Sequence, residues 1–224
     1  TVATRLSWSV PRSRYRRVAC SAMSARRSPL DPDAPLRIAY LTYRGKPHVG
    51  GQGVYTRHLT KALLDLGHEI EVYGGQPYPV LDERIPMHKL PSLDIWNDHY
   101  PGRLPGYWEV KTKGDLVEVL THLRGTFAEP RAFSTRVRGE LQRRTKDFDL
   151  VHDNQCLGYG ILKVEEMIPT VVTLHHPITR DRALEMEHAK SARKRRALKR
   201  WYRFVEMQGK VASSLGLSSC CMVP

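Results

Sequence analysis

One stretch, residues 36–75, most restricts what this chain can fold into. "LRIAYLTY" is a short β-branched and apolar run, the composition of a strand buried on both faces. It passes through the turn-rich "RGKPHVGGQG" into a helical pattern that begins near Gln52. Tyr55, Leu59, Ala62, Leu63 and Leu66 fall on one apolar stripe of that helix. Gly67 ends it, since glycine enters the left-handed conformation beyond a helix end without a Cβ clash. "HEIEVYGG" then supplies a second strand with Ile70 and Val72 on one face. Strand, helix and strand in this order make a β-α-β unit with a right-handed crossover.

The alternation continues downstream. "DLVEVLTHL", "AFSTRVRGELQRR" and "GYGILKVEE" read as helices, and "FDLVHD" and "PTVVTLHH" as strands. "RALEMEHAKSARKRRALKRWYRFVEMQGKVA" reads as one long closing helix. The expected class is α/β, a doubly wound and mostly parallel sheet with helices on both faces. Ligands of such sheets sit at the carboxyl ends of the strands, which places residues 44–53, 74–79, 152–158 and 175–182 on one rim. Residues 76–114 break the rhythm with six prolines and an interleaved Trp96, Tyr100, Tyr107 and Trp108. A loop of that length is functional or mobile. Its rings either stack on sugar faces, with Asp94, Asn97 and Asp98 on hydroxyls, or pack the loop onto its own domain.

Net charge needs locating before it is used. The chain carries +13, yet residues 1–27 hold seven arginines and residues 189–205 eight cations, neither segment with an acid. The remainder nets −2, so the body is near neutral. A nucleic-acid-binding domain carries its cations on the folded face, so that class is disfavoured. Residues 1–34 are expected to be a disordered basic tail without chemistry, residues 35–212 the folded domain, and residues 213–224 an irregular tail. The arginine- and serine-rich start resembles an organelle leader, but the reading adopted is that it lies upstream of a natural start at Met23. The ending "SSLGLSSCCMVP" follows the helix with no strand or cap to close the fold, and reads as a truncated or frame-shifted longer chain. Cys20, Cys156, Cys220 and Cys221 have no framework spacing, which favours a reduced, cytoplasmic chain. No apolar run is long enough to span a bilayer.

"HVGGQGVY" occupies the place of a phosphate-binding loop, before the positive end of a helix. Gly50 and Gly51 let a ligand approach the backbone. The pattern is not GxGxxG, because Thr56 stands where the third glycine belongs, and no Gly-Lys-Ser/Thr follows for a Walker loop. Gly74 and Gly75 replace the carboxylate that would hold a nicotinamide ribose. From this loop alone a generic glycine turn stays open.

Three separated segments, "PHVGGQGVYTRHLTKALLDLGHEIEVYGG", "DLVHDNQ" and "VVTLHHPITRDR", together resemble the amino-terminal domain of retaining family-4 glycosyltransferases. The resemblance covers about residues 36–211 and implies one Rossmann-like half of a GT-B fold. It implies transfer of a sugar from a nucleotide-sugar donor to a sugar or lipid-linked acceptor with retention of anomeric configuration. Gly50 and Gly51 would lie against the donor, with Arg182 reaching a phosphate or hydroxyl. His175 would orient the donor sugar and stabilise developing charge, without acting as general base. Asn154, Gln155, Trp96 and Asp98 are assigned to the acceptor. The second domain, which holds most of the nucleotide in that family, is not represented, so the chain alone is expected to turn over slowly or not at all.

No metal and no cofactor are expected. The rival reading of the histidines is a metal site of His175 and His176 with His152 and Asp153, but no spacing fixes a ligand set. The rival to an enzyme is a non-catalytic nucleotide- or sugar-binding module. The cations of residues 190–203 are expected either to solvate a helix packed through Leu198, Trp201, Tyr202 and Val205, or to meet an anionic membrane surface. The latter would make the chain peripheral at the inner face of the membrane.

Overall fold

A computed structural model describes residues 34–47, 51–97, 99–175, 178–215 and 220–222. The basic segment 1–33 lies outside the described residues, as do Gly50, Asp98 and His176.

The β-α-β unit forms as β1 (Arg37–Thr42), α1 (Gly51–Asp65) and β2 (Glu69–Gly74). Gly67 ends α1 at φ 94°, and the amides of His68 and Gly67 return to the carbonyls of Leu63 and Leu64 at 3.1 and 2.9 Å. That is a Schellman cap, which satisfies two carbonyls the helix itself leaves open. Short β3 (Met87–Lys89) follows, then α2 (Lys113–Leu123), α3 (Glu129–Leu141), β4 (Leu150–Asn154), α4 (Tyr159–Glu165) and β5 (Thr170–Leu174).

The strands make one six-stranded sheet in the order β3-β2-β1-β4-β5-β6, where β6 is Cys220–Met222, and every adjacent pair is parallel. Order reverses between β1 and β4. Loops leaving those two strands must therefore diverge to opposite sides, opening a crevice beyond their carboxyl ends.

Side-chain alternation builds a core on each face. Ile38, Tyr40, Ile70 and Val72 point to the α1 side and meet Leu59 and Leu63. Ala39, Leu41, Tyr73, Val151 and Val172 point the other way and are covered by Phe133, Val137, Ile161, Val164 and Val211. The doubly wound reading is therefore the observed architecture.

Several details differ from the sequence reading. Helix α1 buries Gly53, Thr56 and Thr60, while Ala62 and Leu66 face outward. Two threonines tolerate the dry face because each hydroxyl returns to the carbonyl one turn back, at 2.8 and 2.7 Å, leaving no unmet donor. The closing segment is three helices: α5 (Ile178–Glu187), α6 (Ala192–Trp201) and α7 (Arg203–Ser214). Ser191 starts α6 by accepting a hydrogen bond from the Lys194 amide at 3.2 Å, and the chain leaves helical geometry again at Tyr202. The apolar stripe survives these breaks, since Leu198, Trp201, Tyr202 and Val205 all join the main core. In the segment read as an irregular tail, Cys220–Met222 pair with Val172–Leu174, because the outer edge of β5 offers unpaired backbone groups to any short apolar run.

Candidate functional site

The parallel register brings the ends of β1, β4 and β5 to one edge, and the side chains there are tied together. Thr56, one turn into α1, donates its hydroxyl to the Gln52 carbonyl at 2.8 Å and accepts from the Asn154 amide nitrogen at 3.1 Å. With its nitrogen turned to Thr56, Asn154 must present its oxygen to the imidazole Nε2 of His175, and the two are hydrogen-bonded. His175 is thereby fixed as the tautomer with hydrogen on Nε2, leaving Nδ1 as its acceptor. Its backbone amide donates to Gln155 Oε1 at 2.9 Å, and the Tyr55 ring meets the imidazole edge-on with centroids 4.4 Å apart. Burial holds the half-buried imidazole below the ordinary histidine range, so it is neutral at pH 7.

The glycines next to this network do different things. A Cβ on Gly53 would lie 2.1 Å from the Lys46 carbonyl oxygen, so only glycine lets the loop after β1 close on α1. Among the described residues, a Cβ on Gly51 would meet nothing within 4 Å. The described residues thus leave the first turn of α1 uncrowded at Gly51, one turn from Tyr55 and the histidine.

Backbone geometry at the β4 tip is unusual. Gln155 and Leu157 are left-handed at φ 58° and 47°, a conformation that costs non-glycine residues energy and persists only where neighbours enforce it. Asp153 provides part of that enforcement, its carboxylate accepting from the amides of Cys156 and Leu157 at 3.2 and 2.8 Å. Complete burial outweighs those bonds and pushes the Asp153 carboxyl up to about 7. From α7, Gln208 donates to the carbonyls of Gln155 and Cys156 at 3.1 and 3.2 Å.

The nominated residues therefore divide. Gly51, Asn154, Gln155 and His175 share one edge, with Asn154 and Gln155 buried and positioning the imidazole. Arg182, on α5, is paired with Glu206 of α7 at 3.0 Å. Trp96 packs edge-on against Trp201 and His122, with centroids 4.8 and 5.7 Å away, and its indole nitrogen is buried without a hydrogen-bond partner. Asn97 serves its own turn, bonding the Asp94 carbonyl and the amides of His99 and Tyr100. Tyr100, Tyr107 and Trp108 are exposed.

His152 and Asp153 alternate on β4 and so face opposite sides of the sheet. The His152 Nε2 is engaged with the Thr173 hydroxyl at 2.7 Å, and its ring lies 4.8 Å from that of Tyr40. No cluster of three or more potential metal-ligating side chains occurs among the described residues. Sequence reasoning missed Tyr55, Thr56 and Gln208. Thr56 had left a trace, since it interrupts the dinucleotide glycine pattern at the position where its hydroxyl receives Asn154.

A sequence model of glycosyltransferase family 4 matches residues 49–212. The chain is 52% identical over 182 residues to a protein of Mycolicibacterium hassiacum named MMP alpha-(1->4)-mannosyltransferase, covering 80% of this chain and 44% of that relative. Among solved structures, an NAD-dependent epimerase/dehydratase homologue from Methylobacillus flagellatus covers 85% of this chain and is itself covered over 76%. At 10% identity and a TM-score of 0.33 that likeness has no bearing on fold or function.

Two outcomes follow from this geometry. Gly53→Ala will destabilise the protein by about 1–3 kcal/mol, because the loop backbone must move, while Gly51→Ala will stay within about 0.5 kcal/mol of the parent in urea unfolding. Burial, with the His175 charge as a lesser cause, lowers the His152 imidazole to about 4. Its folded value lies below its unfolded one, so its contribution to stability is complete above pH 6.5 and is lost as pH falls through 4. His152→Phe will therefore flatten the acid-side decline in unfolding free energy by up to about 3 kcal/mol. An unchanged slope would mean that His152 titrates normally in the fold.

Proposed function

The chain belongs to glycosyltransferase family 4, and from that membership we propose that it forms the acceptor-side half of an enzyme that transfers a hexosyl group from a nucleotide sugar with retention. The chain spans less than half the length of the mannosyltransferase it matches, so the transfer is that of the whole enzyme. That relative's name specifies a mannosyl group and an α-(1→4) product, and we carry both to this chain. An α product formed from an α-linked sugar diphosphate retains configuration. The observation that carries the reading is the convergence of open Gly51 with the Thr56–Asn154–His175 chain at the edge where order reverses.

The chemistry needs little side-chain acid or base. The bond from the anomeric carbon to the diphosphate breaks, the bond to the acceptor hydroxyl forms on the same face, and the departing phosphate oxygen takes the hydroxyl proton. A neutral His175 suits a positioning role, with Nε2 committed to Asn154 and Nδ1 as the acceptor for a donor-sugar hydroxyl. The positive end of α1, uncrowded at Gly51 by the described residues, would face the charge that develops on the diphosphate. The same edge serves the rival, a binding module without turnover, and a measured transfer rate separates the two.

We assign the polypeptide to the cytoplasm, with α6 as a contact for anionic lipid. Six of the ten residues of α6 are Lys or Arg, none is acidic, and nearly all are exposed. No helix of the described residues is long and apolar enough to cross a membrane.

In the enzyme that contains this chain, His175→Ala will lower the rate of mannosyl transfer by about 10²–10³, and Gly51→Leu will raise the donor KM at least about tenfold with stability intact. The one-bond C1–H1 coupling of the product in NMR will report α; a β product would overturn the assignment of retention. Sedimentation with vesicles containing anionic lipid will carry the protein down in a salt-sensitive manner, each α6 cation near the surface adding about 1 kcal/mol, whereas equal binding to neutral vesicles would remove the membrane contact.

A further inference from the structure

A second pocket opens on the same side of the molecule and shares no residue with the Gly51–His175 network. Its volume is about 240 Å³, and it is enclosed by the end of α2 and the beginnings of α3, α4 and α7. Helices α3 and α4 begin at the carboxyl edge of the sheet because a parallel strand follows each of them. The α7 side chain of Gln208, bonded to the β4 tip, fixes α7 at that edge as well.

The lining is cationic. Arg124, Arg131, Arg203 and Lys210 contribute four positive groups. None of them is in an ion pair among the described residues, and the pocket's one carboxylate, Glu206, is already taken by Arg182 at 3.0 Å. Arg131 also lies over the Tyr159 ring, 5.8 Å from its centroid, which holds the guanidinium at the mouth. Four like charges gathered around one carboxylate that Arg182 already shares repel one another, a cost that a bound anion lowers.

A second observation, independent of the cations, points the same way. Thr121 lines this pocket, is 3% exposed, and has a buried hydroxyl with no hydrogen-bond partner. An unmet buried hydroxyl is destabilising unless a ligand or water completes it. The first turns of α3 and α7 also carry no side-chain cap, which leaves their positive dipole ends beside the arginines.

We propose that this pocket binds a phosphate-class oxyanion, free or as the monoester of a small molecule. It is smaller than the roughly 300–1,000 Å³ of pockets that take drug-sized ligands, so it fits a head group. Three of its four cations are arginines, whose planar donor forks match phosphate oxygens. A neutral sugar needs hydrogen-bonding groups but no cluster of unpaired cations. The site rests on the cavity and its charges, not on the transfer reaction, and stands or falls separately from it.

Calorimetric titration of the full chain with inorganic phosphate, and separately with a hexose monophosphate, tests the site. Saturable binding is expected from at least one of them, with a Kd below about 1 mM. The double variant Arg124→Gln/Lys210→Gln, both exposed and so without consequence for folding, will weaken it at least about tenfold. Thr121→Val, matched in shape, will weaken it about threefold to tenfold with the thermal transition retained. Gly51→Leu will leave it unchanged. Equal affinity for the two probes identifies a free-ion site, and tighter hexose phosphate binding identifies an ester site with the sugar against Tyr159. Absence of saturable binding by either probe up to about 10 mM, or binding that is lost with Gly51→Leu and unaffected by the pocket variants, would overturn the proposal.

Discussion

The carboxamide of Asn154 is the point on which the arrangement of the rim depends. It is fully buried, and each of its ends has one partner on a different element, Thr56 of α1 and His175 beyond β5. A buried amide satisfied in this way is worth more than two separate bonds, because freeing either end leaves a polar atom without water or partner. Its two partners also settle its orientation, and that orientation dictates which imidazole nitrogen carries hydrogen. The first turns of α1, the histidine and the β4 tip are therefore held in mutual register by one side chain, before any ligand arrives.

Much of this was legible because the signals were local. A buried strand, a glycine turn, an α1 stop at Gly67 and a second strand can each be read from a few neighbouring residues, and the rule that ligands gather at strand ends then joined distant segments. The parts that escaped depend on tertiary context. The break at Tyr202 is invisible to periodicity, since Leu198, Trp201, Tyr202 and Val205 keep helical spacing across it. The three residues of β3, Met-His-Lys, carry no strand pattern and pair only because β2 offers them an edge. In the proline-rich loop, stacking on sugar and packing inward require the same residue types; only coordinates separate Trp96, lodged against Trp201, from exposed Trp108. Apolar counting found only part of the buried face of α1: Leu59 and Leu63 meet the core, but so do threonines whose hydroxyls are satisfied by their own helix and behave as hydrophobes.

Charge inside the domain follows a different rule from charge on its surface. Arg136 reaches Asp115 at 2.7 Å and Glu118 at 2.5 Å, joining α3 to α2 through groups that are nearly buried. Arg44, just past β1, holds Glu129 at the start of α3 at 3.1 Å, and burial still raises the Glu129 carboxyl to about 7. Such pairs cost desolvation and contribute mainly by fixing which elements meet. The cations of α6 join no ion pair among the described residues, and they stay in water. The near-neutral body read from sequence thus contains internally matched pairs such as these, and the cations of α6 are displayed outward.

The helix starts follow the same division. Helix α2 begins away from the strand-end edge, since Asp115 in its first turn meets Arg136 in the middle of antiparallel α3, and it is capped by the Thr112 hydroxyl. Helix α6 is capped as well, by the Ser191 hydroxyl. Among the helices that begin at the edge, α3, α4 and α7 take no side-chain cap from the residue that precedes them. Capping stabilises a helix by about 1 kcal/mol, so leaving three starts uncapped on one side forgoes stability there. What it leaves in place is a set of positive dipole ends along the edge where the sheet directs its ligands, with the Gly160 amide of α4 taken by the Ser134 hydroxyl at 3.2 Å, and these ends favour anionic ligands over neutral ones before any charged side chain is counted.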